Sequence, residues 1–447
     1  MFALLKREIP CIGSVHFRGS PGVPPRAEEF TYLKAYGVQI TRTDPGPSAH
    51  WSLQLRHDKW GEAEVVALRD MPPCPHVLID WSPTLSDEEK RQAKAAGPGV
   101  SVRMASTRRN VLADRKRLLR YLSWLMGDDG VIATDHGSEL FWSRGMLDDE
   151  LSHDADLDVE ALYCIHAVGP DTNGADKDDD GEGPRLTWVH THGLANVGAF
   201  DFDILNPGPS LALSDPLRAI AFAILEGAVQ PNTADYPLAY PGGNVRFVPA
   251  YEFQRSAPPE FAALRDHDEN HSDRRAVLCE PVRGLLGRFR KKVRPSRFLS
   301  GDIPDEIVYH FSHAATELMA QRARNTFGVF RALLEELAEF QLPAIVKLGY
   351  PTAPAEAGGR EHLWFEVHTV RGDTIDATLV NQPHAVPTMN QGDRGEHSAE
   401  LLSDWVIITP IGHINPRQMR PAREIREDKG RFREFMRLVS TMHPGEG

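Results

Sequence analysis

His190 and His192 sit two residues apart in Trp188-Val189-His190-Thr191-His192. On a β-strand that interval sends both imidazoles to one side, about 6.5 to 7 Å apart, close enough to share a divalent ion. Asp201 and Asp203 repeat the interval shortly afterwards. A hairpin presenting His190, His192, Asp201 and Asp203 on one face carries the donor set of a metal-dependent hydrolase, in which metal-bound water is the nucleophile. The same four residues also suit the solvated face of an antiparallel pair, with Trp188 packed nearby. Both readings stay open, and the solvated face leads.

Two further clusters imitate known metal sites and then depart from them. Asp176, Asp178, Asp180 and Gly181 reproduce the first half of a calcium loop, but the twelfth position is Thr187 rather than Glu and Pro184 interrupts it. His267 and His271 stand four apart as in a zincin helix, yet Asp268 occupies the place of the required Glu. The expectation is a mobile acidic loop over 170–185 and an exposed helix end near 267–271.

In the C-terminal third, His362, Trp364, Glu366 and His368 alternate with Leu363, Phe365 and Val367. That pattern places a polar row on one face and the apolar residues in a core. Trp364, Glu366 and His368, with Trp405, are the candidate binding residues, because an aromatic ring beside ionisable groups can anchor a partner. An exposed sheet face stabilised by cross-strand pairs is the plainer reading. Arg371-Gly372-Asp373 reads as a hairpin turn.

Composition narrows the classes. The chain has 447 residues, 41% hydrophobic and 25% charged, so it can bury a core and divide into two or three domains. Its net charge of −13 disfavours a partner bound through phosphates, and the basic run from Arg283 to Arg297 lacks interleaved Tyr or Trp for base stacking. Nucleic acid is therefore not an expected partner; another protein is. GxxxxGK[ST], GxGxxG and GxSxG are all absent. The four cysteines lie far apart, without CxxC spacing, and read as isolated core residues. With no secretory apolar segment at the N-terminus and no apolar run near the ~20 residues of a membrane span, the expectation is a cytoplasmic protein without a transmembrane segment.

The elements that must position these residues follow from periodicity. Strand-length runs at 51–55 and 63–68 precede an apparent βαβαβ alternation: strand 76–81, helix 86–96, strand 100–104, helix 112–126 and strand 131–134. Ser86, followed by acidic Glu88 and Glu89, marks a helix start. Strands at 161–168, 186–192 and 200–205 bracket the acidic loop. Pro304 opens an expected helix carrying Ile307, Phe311, Ala315 and Leu318; a second covers 327–340. Strands follow at 344–348, 362–370, 374–380 and 405–409, then a charged helix over 420–437.

Residues 361–405 resemble a bacterial domain family of unknown function sometimes called YegJ-like. The resemblance rests on Glu361-His362-Leu363-Trp364, Gly372-Asp373, Leu379-Val380-Asn381-Gln382-Pro383, Gly392-Asp393 and Ser403-Asp404-Trp405. It implies no activity and no catalytic residue. The region around Trp188 to Ile204 is similar to an uncharacterised bacterial domain often found before the first, and loosely to bacterial relatives of Suppressor of fused, which implies a scaffold; the paired His depart from that pattern.

The expectation is an α+β protein: an N-terminal mixed α/β region over 1–280, a basic linker over 281–301, and over 302–447 a two-helix connector with a small antiparallel β domain. Its expected function is cytoplasmic binding or interaction, without catalytic activity and without a cofactor. The alternative is a divalent-metal hydrolase at His190, His192, Asp201 and Asp203.

Overall fold

A computed structural model describes residues 8–19, 23–168, 188–207, 214–256, 274–281, 293–300, 308–352 and 359–442. The acidic loop, the His267/His271 pair, most of the basic run and the Pro304 helix start lie outside the described residues. The described elements are a mixture of helices and largely antiparallel sheets, as an α+β chain requires. They form two compact units: residues 1–142 with 159–312, and residues 143–158 with 313–447.

The first unit holds two seven-stranded sheets. Strands β1 (Glu8–Phe17), β2 (Gln39–Thr43), β3 (Ala49–His57), β4 (Gly61–Leu68), β5 (Gly99–Thr107), β6 (Gly130–Asp135) and β7 (Leu140–Trp142) run in the order β2-β3-β4-β5-β1-β6-β7. The apparent βαβαβ alternation is corrected here in two ways. Residues 76–81 form helix α1 (His76–Trp81) rather than a strand. A six-residue apolar run cannot be assigned by periodicity alone, and here only Ile79 is buried while Val77 and Trp81 face outward. Strands β5 and β6 also do not pair with each other. Strand β1 lies between them, antiparallel to both.

Helix α2 (Asp87–Lys94) begins at Ser86, whose hydroxyl accepts from the Glu89 amide while the Glu89 carboxylate accepts from the Ser86 amide. Helix α3 (Val111–Met126) buries Leu118, Leu119, Leu122 and Leu125. From the same helix Arg115 pairs with Asp135 at the end of β6. Gly137 accommodates that pairing: a Cβ there would lie 1.9 Å from the Arg115 guanidinium. The turn after β6 is thus held against the helix, and it carries Glu139, a non-glycine residue at φ 58°.

The second sheet comprises β8 (Cys164–Val168), β9 (Trp188–His192), β10 (Asp201–Leu205), β11 (Tyr236–Tyr240), β12 (Gly243–Pro249), β13 (Arg275–Cys279) and β14 (Val308–Tyr309), in the order β14-β11-β12-β13-β10-β9-β8. Its pairings are antiparallel except that of β10 with β13. Strand β8 is an edge.

The second unit contains α4 (Arg144–Leu151), α5 (His313–Asn325) and α6 (Phe327–Glu336). Its six-stranded sheet is built from β15 (Ala344–Pro351), β16 (Arg360–Arg371), β17 (Thr374–Leu379), β18 (Arg394–Ser398), β19 (Leu402–Thr409) and β20 (Gly412–Ile414), in the order β18-β17-β16-β15-β19-β20. Its core gathers Phe330, Leu333, Val346, Leu348, Leu363, Phe365 and Trp405. Residues 372–373 turn the β16–β17 hairpin, with Gly372 at φ 58°. Among the described residues after Ile307, Val308–Tyr309 is a strand and the helix begins at His313. The charged tail breaks at Asp428 into Arg420–Glu427 and Lys429–Met442.

Candidate metal centre

Strands β8 and β9 pair so that His166 faces His190 and Cys164 faces His192. Alternation puts all four side chains on one face of the two-strand ladder. The rings converge: the His166 centroid lies 4.6 Å from His192 and 5.4 Å from His190, and His190 lies 4.8 Å from His192. One nitrogen from each of the three imidazoles falls within 4.8 Å of the others, a donor set able to hold a metal ion. His190 is buried, whereas His166 and His192 are half-buried. His166 lies on the edge strand, and the Trp81 ring meets it edge-on at 5.9 Å.

Glu139, Cys164 and His166 form a second group with the same spacing. The Cys164 Sγ lies 3.5 Å from His166 Nε2 and 4.0 Å from Glu139 Oε2. Backbone geometry brings these elements together. Directly after His192, Gly193 takes φ 127°, and a Cβ there would stand 2.3 Å from the Leu162 carbonyl and 3.1 Å from Ser138 Cα. Only a residue without a side chain lets the end of β9 press so closely against the turn carrying Glu139. Burial raises the Glu139 carboxyl above its ordinary range and raises the Cys164 thiol as well, with Glu139 and Asp201 adding to the latter.

The aspartates expected beside the histidines have other partners. Asp203 faces His190 across the β9–β10 ladder, but its Oδ2 lies 3.2 Å from Arg275 Nε. Burial pushes the Asp203 carboxyl up to about 7 against the pull of Arg275 and Trp188. Asp201 accepts from Thr191 Oγ1 at 3.2 Å, from the Leu194 amide at 3.0 Å and from the Ala195 amide at 3.3 Å, which fixes the β9–β10 connection. Its carboxyl is raised to about 6, burial outweighing those bonds. Both aspartates are buried, as are His190 and Trp188. The solvated-face reading of this strand pair is therefore corrected. Trp188 stacks on His190 at 4.1 Å, and the Arg275 guanidinium lies 5.7 Å from its ring centre.

The sequence reading missed His166, Cys164 and Glu139. One signal was present: Cys164 and His166 repeat the two-residue interval of His190 and His192. The reading of Cys164 as an isolated core residue is corrected, since distance along the chain is not distance across a ladder.

The C-terminal row divides. Trp364 is half-buried, with the Lys347 ammonium 5.2 Å from its ring centre, and Glu366 and His368 are exposed. A bulge between Val367 and Thr369 sets His368 against Thr378, 2.8 Å from its hydroxyl. Trp405 is not part of this surface. It is fully buried, its indole donating to Thr326 Oγ1 at 2.9 Å, so its place on a recognition face is corrected. His362 hydrogen-bonds Ser403 at 2.8 Å, while Ser403 donates to the Lys347 carbonyl at 3.1 Å. The serine proton is thus directed away from the imidazole, and the pair is not arranged as an activated nucleophile.

Residues 314–413 match the sequence model of a family described as "Uncharacterized protein conserved in bacteria (DUF2314)". The match includes the segment 361–405 and none of the clustered histidines. No curated protein and no solved structure matches the chain. Among the described residues, no helix is long and apolar enough to cross a membrane.

Proposed function

We propose that the chain is a divalent-metal-binding protein whose first unit holds the ion at His166, His190 and His192. The convergence of three imidazoles from two paired strands carries this reading, because imidazole is the usual nitrogen donor for zinc and its neighbours. Chance alternation supplies two such rings; a third directly across the ladder requires the register found here. The hydrolase built on Asp201 and Asp203 has lost its carboxylates to Arg275 and to the β9–β10 connection, which favours ion binding itself as the function. Titrating metal-free protein with zinc tests it: wild type takes up one equivalent, and the His190→Ala/His192→Ala double variant takes up none. Wild type that binds no zinc at micromolar concentration refutes it.

A second reading, recognition of another protein by Trp364, Glu366 and His368, is favoured by the outward position of these side chains on β16. It requires that Trp364→Ala lose a stoichiometric protein that co-purifies with wild type. A stoichiometric protein retained by both forms counts against it.

A further inference from the structure

We infer that Cys164 is the fourth ligand of this centre, making it a thiolate-bearing site with one cysteine and three histidines that takes a zinc-class ion in preference to magnesium, calcium or manganese. The inference rests on the three-histidine reading and adds the ligand that sets the choice of metal.

Three observations carry it. The register places Cys164 opposite His192 and His166 opposite His190, so the four donors occupy the corners of one face of a two-strand grid. The Cys164 Sγ and His166 Nε2 are 3.5 Å apart. With metal bonds of about 2.3 Å to sulfur and about 2.0 to 2.1 Å to nitrogen, a tetrahedral angle separates the two donors by about 3.6 Å, so this pair already spans one edge of such a site. Finally, Cys164 and His166 belong with Glu139 to a second metal-capable group that overlaps the first at His166. His166 is therefore the residue the two groups share, and Cys164 stands beside it in the second.

The chemistry is simple. The ion replaces the thiol proton, which leaves to solvent, and a sulfur–metal bond forms with no change of oxidation state. Thiolate donors favour zinc and other soft or borderline ions, whereas magnesium, calcium and manganese favour oxygen. Four protein donors fill the tetrahedron, the arrangement of a structural rather than a catalytic zinc site, and the ion would cross-link the edge strand β8 to β9.

The test uses the full chain loaded with cobalt(II) as a spectroscopic stand-in for zinc. Wild type is expected to bind one equivalent and show a sulfur-to-cobalt charge-transfer band in the near ultraviolet. Cys164→Ser should bind cobalt without that band, and Glu139→Gln should keep it. In wild type, zinc should also protect Cys164 from alkylation, read by mass spectrometry, a measurement that does not depend on any variant folding. If wild type binds one cobalt without the band and zinc leaves Cys164 reactive, the inference falls, the sulfur contact is an ordinary S–H···N hydrogen bond, and the three-histidine site stands. A second equivalent lost in Glu139→Gln also overturns it, since Glu139, Cys164 and His166 would then hold an ion of their own. Absence of any bound ion in wild type removes both readings.

Discussion

Asp203 faces His190 across two paired strands, yet its carboxylate is held by Arg275 at 3.2 Å. Register alone would make aspartate and histidine joint ligands. The charge pairing decides otherwise, because a buried carboxylate that loses its cation is left with an uncompensated desolvation cost. His190 is joined instead by His166 on its other flank. The same strand is thus flanked by an ion pair on one side and a nitrogen donor on the other.

The two tryptophans read together in the C-terminal sheet should behave oppositely. Trp405 is buried and hydrogen-bonded to Thr326, so Trp405→Ala should cost about 3 to 5 kcal/mol. Trp364 is half-buried beside Lys347, and Trp364→Ala should cost only about 0.5 to 1 kcal/mol. Urea unfolding of the two variants, followed through the transition that Trp405→Ala moves, checks the contrast; equal shifts would contradict it.

Burial, with Lys347 and Arg360 nearby, lowers the His362 imidazole from 6.5 to about 4. A depressed folded value means that stability is present above the unfolded value and is lost as pH falls toward the folded one. The second unit should therefore weaken between about pH 6.5 and about pH 4, and His362→Gln should weaken less across that window. Denaturant midpoints at several pH values for both proteins give the answer, and parallel curves would refute the assignment.

Arg322 of α5 binds the Glu150 carboxylate of α4 and also donates to the Asp156 and Pro416 carbonyls at 3.2 and 3.0 Å. Arg322→Ala strands Glu150 in a buried position and should cost about 3 to 5 kcal/mol, while Arg322→Met with Glu150→Leu should recover most of it. Chemical denaturation of the single and double variants measures both; a double variant no better than the single one would contradict the pairing.

Much of the scaffold was legible in the sequence. Ser86 and Glu89 announce α2 by their capping chemistry, and Gly372-Asp373 announces the β16–β17 turn. The helix at 76–81 was not, because six apolar residues without a clear period fit either element. Half of the candidate centre was legible as His190 and His192. Its other half was hidden because His166 belongs to a strand more than twenty residues earlier, and only the β8–β9 register reveals that it faces His190. The aspartates misled for the converse reason: their spacing was right, but Asp203 Oδ2 lies against Arg275, and the amides of Leu194 and Ala195 claim the oxygens of Asp201.

Zinc stoichiometry by equilibrium dialysis, compared among wild type, His166→Ala and Asp203→Asn, tests the central claim most directly. One ion per chain in wild type and in Asp203→Asn, with none retained by His166→Ala, is the predicted result. An ion kept by His166→Ala but lost from Asp203→Asn, or no ion bound by wild type, would contradict it.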